Sequence, residues 1–362
     1  MKNKTLILLC FISALPLCAS EPASKEQLGL VVSAAIQGVP VMDKQGAALD
    51  RINLEGDEGL TSESYQELID GYENAGKSFV LARAQSVDAK GRNYFHYYDA
   101  ISLTNWVWGD NFWVKPIGSP KKNPNNNLPV INVSYFIYKK HGQGGPRFEY
   151  LGLNQDLFAA NPSLIQACLQ SWIYRFKKSP KDVLNVGIAI SHDKRRFIVA
   201  KEFFNQANQV EAPLDVQRRA QLELGMMYYL GGNGVAQDFI QAIKFLDQAN
   251  QVDAPLDVQR RSQLALGMIY RHGGKGVAEN FVGAERFFNE ANQADAPIYV
   301  QRYAQLWLGS MYRLGGNGVT QSLSKARRFL KQAIQAGAPI DVKKQAQKLL
   351  EKIQSKNQCA IQ

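Results

Sequence analysis

Apolar and polar positions along this chain follow three successive patterns. Leu6 to Leu17 is a continuous apolar run behind Lys2 and Lys4, with small residues at Cys18, Ala19 and Ser20. That is the three-part plan of a secretory signal cleaved after Ser20. The run falls short of the ~20 residues a bilayer span needs, and Leu17 is too bulky to precede a lipidated cysteine. Residues 1–20 are therefore read as an export signal, and the expected product is periplasmic or secreted. No later stretch is apolar enough to span a membrane.

From residue 21 to about 160 the pattern is mixed. A helix is expected around Ser62 to Asn74, and strand-like runs at Phe79 to Ala84 and Val130 to Lys139. Pro and Asn cluster between Pro116 and Pro129, as loops do. These features predict a small mixed α/β module over residues 21–160. Residues 161–195 hold a helical run, Leu164 to Phe176, and then the basic stretch Arg175 to Lys181. The expectation there is a solvated connector or a worn capping helix, since LQSWIY from Leu169 echoes the LELGMMY found later.

From residue 196 to 356 the period is helical and the segment repeats. Ala-Pro occurs at Ala212, Ala254, Ala296 and Ala338, a step of 42 residues. The same register carries Gly225, Gly267 and Gly309, then Tyr228, Tyr270 and Tyr312, then the turns GGNGV, GGKGV and GGNGV. Each unit reads as two helices, the first from about Asp215 to Leu230 with Val216, Ala220, Leu224 and Met227 on one stripe. The Gly-Gly-x-Gly run ends it, because glycine takes the left-handed conformations a sharp reversal requires. The second helix runs from about Asp238 to Asn250. One pair cannot bury its stripe, so neighbours must stack into a continuous core. A lone second helix, Arg196 to Asn208, is expected to open the array, and a lone first helix, Ile340 to Lys356, to close it. Glu351 there replaces the glycine, and 357–362 form a tail.

The strings AQLELGMMYYLGGNGVAQD from Ala220, SQLALGMIYRHGGKGV from Ser262 and AQLWLGSMYRLGGNGV from Ala304 resemble the Sel-1-like repeat, a relative of the tetratricopeptide repeat. That resemblance implies a right-handed superhelix used for protein–protein contact, with no chemistry of its own. The fold class expected is α+β: the small mixed module, then an all-α solenoid of such helix pairs.

A second resemblance concerns His96-Tyr97-Tyr98-Asp99, Leu103, Trp106-Val107 and the later Pro124 to Pro129 and Val130. These are similar to the central and second-loop parts of a U-box, with a possible core at residues 76–145. By that resemblance His96, Tyr98, Leu103 and Pro129 would be structural, and Trp106 and Pro124 would help dock a ubiquitin-conjugating enzyme. The first contact loop would fall in Phe79 to Lys90, where the family's Cys-Pro-Ile and Asp-Pro-Val are not visible.

Composition narrows the chemistry. Of 362 residues 45% are hydrophobic and 20% charged, an ordinary globular balance. Net charge is +10, mildly basic, which permits an acidic partner and specifies none. Cys10 and Cys18 lie in the signal, leaving Cys168 and Cys359, and no two of the four histidines are three or four apart. Neither a disulfide framework nor a metal site is expected, and no cofactor. The acidic loop NLEGDEG from Asn53 lacks a calcium loop's glycine and closing glutamate. G-x-S-x-G is absent, which argues against a hydrolase. Arg218, Arg260, Arg302 and Lys344 also recur at 42. They are either a row of contacts for an acidic protein or a solvated face in which Asp215 and Asp257 pair with the arginines three residues on. The Phe and Tyr ladders belong to the core, so no nucleic-acid platform is expected. Two functions remain: an exported protein-interaction adaptor, or a secreted effector acting as a U-box-type ubiquitin ligase.

Overall fold

The computed structural model describes residues 38–359, except 56–57, 59, 62, 109–112, 114–121, 127, 129, 142–144 and 154–160, and except the side chains of 105–108, 153 and 356–359. The expected export signal, Pro129 and the Trp106 side chain lie outside the described residues.

Six strands form one mixed sheet: β1 (Val39–Met42), β2 (Ala48–Ile52), β3 (Val80–Val87), β4 (Asn93–Asp99), β5 (Val130–Lys139) and β6 (Arg147–Leu153), ordered β2-β1-β6-β5-β3-β4. Only the β1–β6 pairing is parallel. β3 is an inner strand, with Ala82 opposite Tyr98 of β4 and Tyr135 of β5. Its alternation sends Val80, Ala82 and Ala84 to one face and Phe79 and Leu81 to the other. On the second face lies α1 (Tyr65–Asn74), which buries Tyr65, Leu68, Ile69 and Tyr72, a single helical stripe. Ser64 and Glu67 close its first turn as a capping box.

The first face is covered by α2 (Ala100–Trp108) and α3 (Pro162–Arg175). Here the connector expectation is corrected. Leu164, Ile165, Cys168, Leu169 and Trp172 of α3 are buried, so this helix is a seam and not a solvated link. Its apolar side joins the sheet to the helical half in one core: Trp113 packs edge-on against Trp172 and Phe203. The basic stretch after it is engaged too. Arg175 pairs with Glu63 at 2.6 Å, and Lys178 lies over the Trp172 ring.

The helical half consists of α4 (Pro180–Ser191), α5 (Phe197–Ala207), α6 (Leu214–Leu230), α7 (Phe239–Ala249), α8 (Leu256–His272), α9 (Phe281–Ala291), α10 (Ile298–Leu314), α11 (Leu323–Ala333) and α12 (Ile340–Cys359). They pack as successive pairs, α4 with α5 through α10 with α11. The helices of a pair meet at a glycine. A methyl at Gly225 would stand 2.7 Å from Leu246, at Gly267 2.6 Å from Phe288, and at Gly309 2.6 Å from Leu330. Those contacts are shorter than carbon atoms tolerate, so only glycine lets the axes approach this closely. Beside the crossing, Tyr228 stacks on Phe245, Tyr270 on Phe287 and Tyr312 on Phe329, all at 5.7–5.8 Å and within 4° of parallel. Each such pair adds roughly 0.5–1.5 kcal/mol beyond its buried area.

The array begins earlier than its 42-residue period shows. α5 is not a lone opening helix: α4 is its partner, and a methyl at Gly187 would stand 2.8 Å from Phe204. From Gly187 to Phe204 is 17 residues, against 21 from Gly225 to Leu246. The shorter turn, without Gly-Gly-x-Gly, hides the pair from self-comparison.

The array ends by charge. Leu222, Leu264 and Leu306 pack against the following unit, and the next member of that row is the exposed Lys348. Met226 and Met268 lead in the same way through Ser310 to the exposed Lys352. A further helix pair would have to strip water from both ammonium groups. Restoring the apolar row with Lys348→Leu and Lys352→Met exposes a sticky end, and the double variant is expected to self-associate in sedimentation velocity at concentrations where the parent keeps the lower mass. Within the array, Gly267→Val is expected to lower the urea midpoint, at a cost of roughly 1–3 kcal/mol, because Phe288 is packed where the new side chain must go.

Candidate functional site

An interaction surface on a solenoid depends on what holds its repeats in register. Each first helix starts after Ala-Pro with no side-chain cap at the proline. Instead Gln217, Gln259 and Gln301 donate from Nε2 to the carbonyls of Ala212, Ala254 and Ala296 at 2.7–2.8 Å, tying the helix to the loop before it.

The arginine row spans adjacent repeats. Arg218 grips Asp253 through Nε–Oδ1 and Nη2–Oδ2, both 2.9 Å, and its Nη1 donates to Gln221 at 3.1 Å. Arg260 repeats the fork on Asp295 at 2.8 Å and donates to Gln263. Gly337 stands where the third aspartate would be, so Arg302 turns its fork onto the Ala336 carbonyl, with Nη2 at 3.1 Å. The expected local partners are thus corrected: Asp257 receives Arg219 at 3.0 Å, and Asp215 is exposed. A second set of inter-repeat links, Arg261 to Glu223 and Tyr303 to Asp341, runs alongside. Arg218 and Arg260 are spent inside the chain, and Arg302 is 9% exposed. Lys344, the fourth member, is exposed on α12. Gly225, Gly267, Gly309, Tyr228, Tyr270 and Tyr312 occupy the crossings and stacks described above.

The residues that resembled a U-box lie at the junction of β4 with α2. Tyr98 donates to Asn123 at 2.7 Å, and Asn123 donates to Ser86 at 2.9 Å and lies 3.5 Å from His96 Nδ1. Burial lowers the His96 pKa. Leu103 is fully buried, and Pro124 is half-buried in the turn that Asn123 opens. The first contact loop expected in Phe79 to Lys90 is corrected: Val80–Val87 is a strand bonded on both sides, and the hairpin turn begins only at Asp88. Asn123 does hold the Pro124 turn beside that strand.

Two clusters were not assembled by the motifs, although Glu58 and Asp99 each stand in one. Glu58 is buried and accepts from the amides of Leu60, Thr61 and Asp99. Asp99 is buried beside it, capping α2 through Ser102 and accepting from the Tyr72 hydroxyl at 3.1 Å. Burial pushes both carboxyls up. Together they tie Leu60 and Thr61 to the end of β4, a structural task. The second cluster is Arg271, His272, Trp307, Ser310 and Arg313 on α8 and α10. Arg271 lies 4.8 Å from the Trp307 ring centre and reaches Ser310, and the His272 ring meets Trp307 edge-on at 5.6 Å. Cys168 is buried, and burial pushes its thiol up, away from nucleophile chemistry. Among the described residues no group of three His, Cys, Asp or Glu side chains is arranged to hold a metal ion.

The Sel1 repeat model matches residues 218–251, 260–295 and 302–337. The C-terminal half is a Sel1 repeat array. A solved structure is also similar, a protective antigen of uropathogenic Escherichia coli described as displaying an SLR fold. It is 16% identical over 53% of this chain and 57% of its own length, with a TM-score of 0.20, so this chain spans little more than half of that protein. No curated protein matches the chain. Sel1 arrays are protein-interaction scaffolds, and no described helix is long and apolar enough to cross a membrane.

The arginine forks predict an acid response. Asp253 and Asp295 lie below the usual carboxylate range because Arg218 and Arg260 donate to them. Their stabilisation is complete above the ordinary value of 3.8 and is lost as pH falls through the lower folded value. An Asp253→Asn, Asp295→Asn double variant should therefore have a lower urea midpoint than the parent at pH 7, and the gap should narrow as pH falls below the ordinary carboxylate value of 3.8.

Proposed function

We propose that this chain is an exported adaptor whose Sel1 array holds a protein partner while the N-terminal sheet fixes one end of that array. The observation that carries the reading is the repeat itself, stacked without interruption from α4 to α12 and anchored through α3. Export is supported by the charge and apolar plan of residues 1–20. An adaptor needs no catalytic group, and the buried carboxyls, tyrosines and thiol all have packing or capping tasks.

The alternative, a secreted effector that recruits a ubiquitin-conjugating enzyme, draws on one observation. Asn123 sets the Pro124 turn against Ser86, so one candidate docking turn lies beside the β3–β4 hairpin. The same residues are consumed in closing that turn, and the adaptor reading explains them with less.

Two measurements test the adaptor. Mass spectrometry of the exported protein should find a mature N-terminus at Glu21. Photo-crosslinking residues placed at the exposed Leu230 or Leu314 on the array should yield a discrete protein adduct in cells, whereas one at the exposed Ile131 of the sheet should not. Adducts from Ile131 alone, matching a ubiquitin-conjugating enzyme, would move the function to the N-terminal half.

A further inference from the structure

Charge along the array is graded. Residues 214–255 hold three Lys or Arg against five Asp or Glu, residues 256–297 hold five against five, and residues 298–356 hold eleven against two. The positive end is the end that the sheet does not cover.

Within that end, the cluster of α8 and α10 carries donors that the chain does not satisfy. Arg271 Nε, Trp307 Nε1 and Arg313 Nε are buried and without a hydrogen-bond partner. Native proteins pair such groups almost everywhere, so three together mark a polar cluster that the chain's own packing leaves incomplete, although Arg271 Nη1 meets His272 Nε2 at 2.8 Å. Arg271 and Arg313 occupy the same position of successive repeats and feel each other's charge; Glu279, held by Asn317 at 3.2 Å, is the carboxylate close enough to act on Arg271. Next to Arg313 opens a cavity of about 190 Å³ lined by Arg313, Leu323, Lys352, Ile353 and Ser355. From Arg271 past Trp307 to Lys352 the cationic groups therefore form a line across three first helices, with an aromatic ring and aliphatic side chains between them.

We infer that this line is a docking groove for an acidic, extended peptide segment of the partner protein, whose carboxylates pair with Arg271, Arg313 and Lys352 while its apolar groups pack on Trp307 and Leu323. A line of spaced cations separated by apolar surface suits an extended chain better than a single small anion. Carboxylate is also what four of the array's other arginines take, since Arg218, Arg219, Arg260 and Arg261 each close on an aspartate or glutamate while Arg302 takes a carbonyl. The inference rests on the array being a protein-binding scaffold.

The full chain would be titrated by fluorescence anisotropy against a labelled twelve-residue peptide alternating Glu or Asp with Leu and Ala, and against the same peptide with Gln and Asn. The acidic peptide should bind, more weakly as salt rises, and the neutral one should not. Arg271→Gln with Arg313→Gln should weaken binding at least about tenfold, with Trp307→Phe intermediate. Arg327→Gln with Arg328→Gln, which removes equal charge on α11, should change it less than about twofold. Thermal melts showing both double variants folded keep the comparison valid. Equal losses in the two double variants, or tighter binding of polyuridylate or of anionic phosphatidylglycerol vesicles in competition with the peptide, would overturn the groove. If no peptide binds yet a probe at Leu230 still crosslinks a protein in cells, the acidic chemistry fails and the scaffold stands. If both are lost, the scaffold reading falls with it.

Discussion

Everything in the helical half depends on two backbones meeting where one has no side chain. At Gly187, Gly225, Gly267 and Gly309 a single methyl would collide with the facing Phe or Leu. Because the axes come this close, the positions around the crossing must be small, and Ala220, Ala242, Ala249 and their counterparts are fully buried there. The space opened to one side is filled by the parallel Tyr–Phe pairs. The tight reversal that brings the second helix back calls for Gly231 at φ +65° and for Val235, buried beneath the turn. Once the pair is rigid, the arginine fork can reach a fixed place in the next repeat. Its geometry depends on the crossing and not the reverse: Arg302 finds a carbonyl where its counterparts find aspartates, and the third repeat keeps the same stack.

The array was legible because its constraints are local in sequence. Glycine, alanine, tyrosine and the Gly-Gly-x-Gly turn recur at one spacing, and each marks a steric demand that other residues cannot meet. The opening pair was hidden for an equally local reason: its turn is four residues shorter and built on Asp193 and a 3-10 turn instead of glycines. What could not be read was any partner lying a repeat away. Arg218 and Asp253 are 35 residues apart, and only the stacked fold makes them neighbours. A nearer aspartate, Asp215, was the natural candidate on a helix face and is the wrong one. The cluster around Trp307 was invisible for a related reason, since its donors come from repeat positions occupied by Tyr229 and Glu223 in the first repeat.

The N-terminal sheet shows the opposite limit. Phe79 to Ala84 and Val130 to Lys139 announced two strands, but β1, β2 and β6 are short or interrupted by Pro40 and Gly152. The stretch Asn93 to Asp99 drew attention as a motif and is strand β4. Its aromatic spacing serves alternation: Tyr97 packs with the α1 face and Tyr98 with the α2–α3 face. Asp99 caps the helix that follows. A histidine, a tyrosine and an acid at this spacing therefore satisfy the ordinary needs of a strand running straight into a helix. The pattern is what such a junction requires, whatever the module is used for.

Why the excess of positive charge gathers at one end of the array follows from how the other is closed. Trp113, Trp172 and Phe203 seal the first helix pairs against the sheet, so apolar stacking positions there are covered by the protein's own N-terminal half. Among the described residues the last helix has no such cover. Lys348 stands in a row that is leucine elsewhere and Lys352 in one of methionine and serine, and their aliphatic stems can lie on apolar surface while the ammonium groups stay in water. A solenoid must end in something that refuses another repeat. Ending it in lysine rather than in glutamate also leaves a cationic surface next to Arg313, so the device that terminates the fold helps set what the open end can attract.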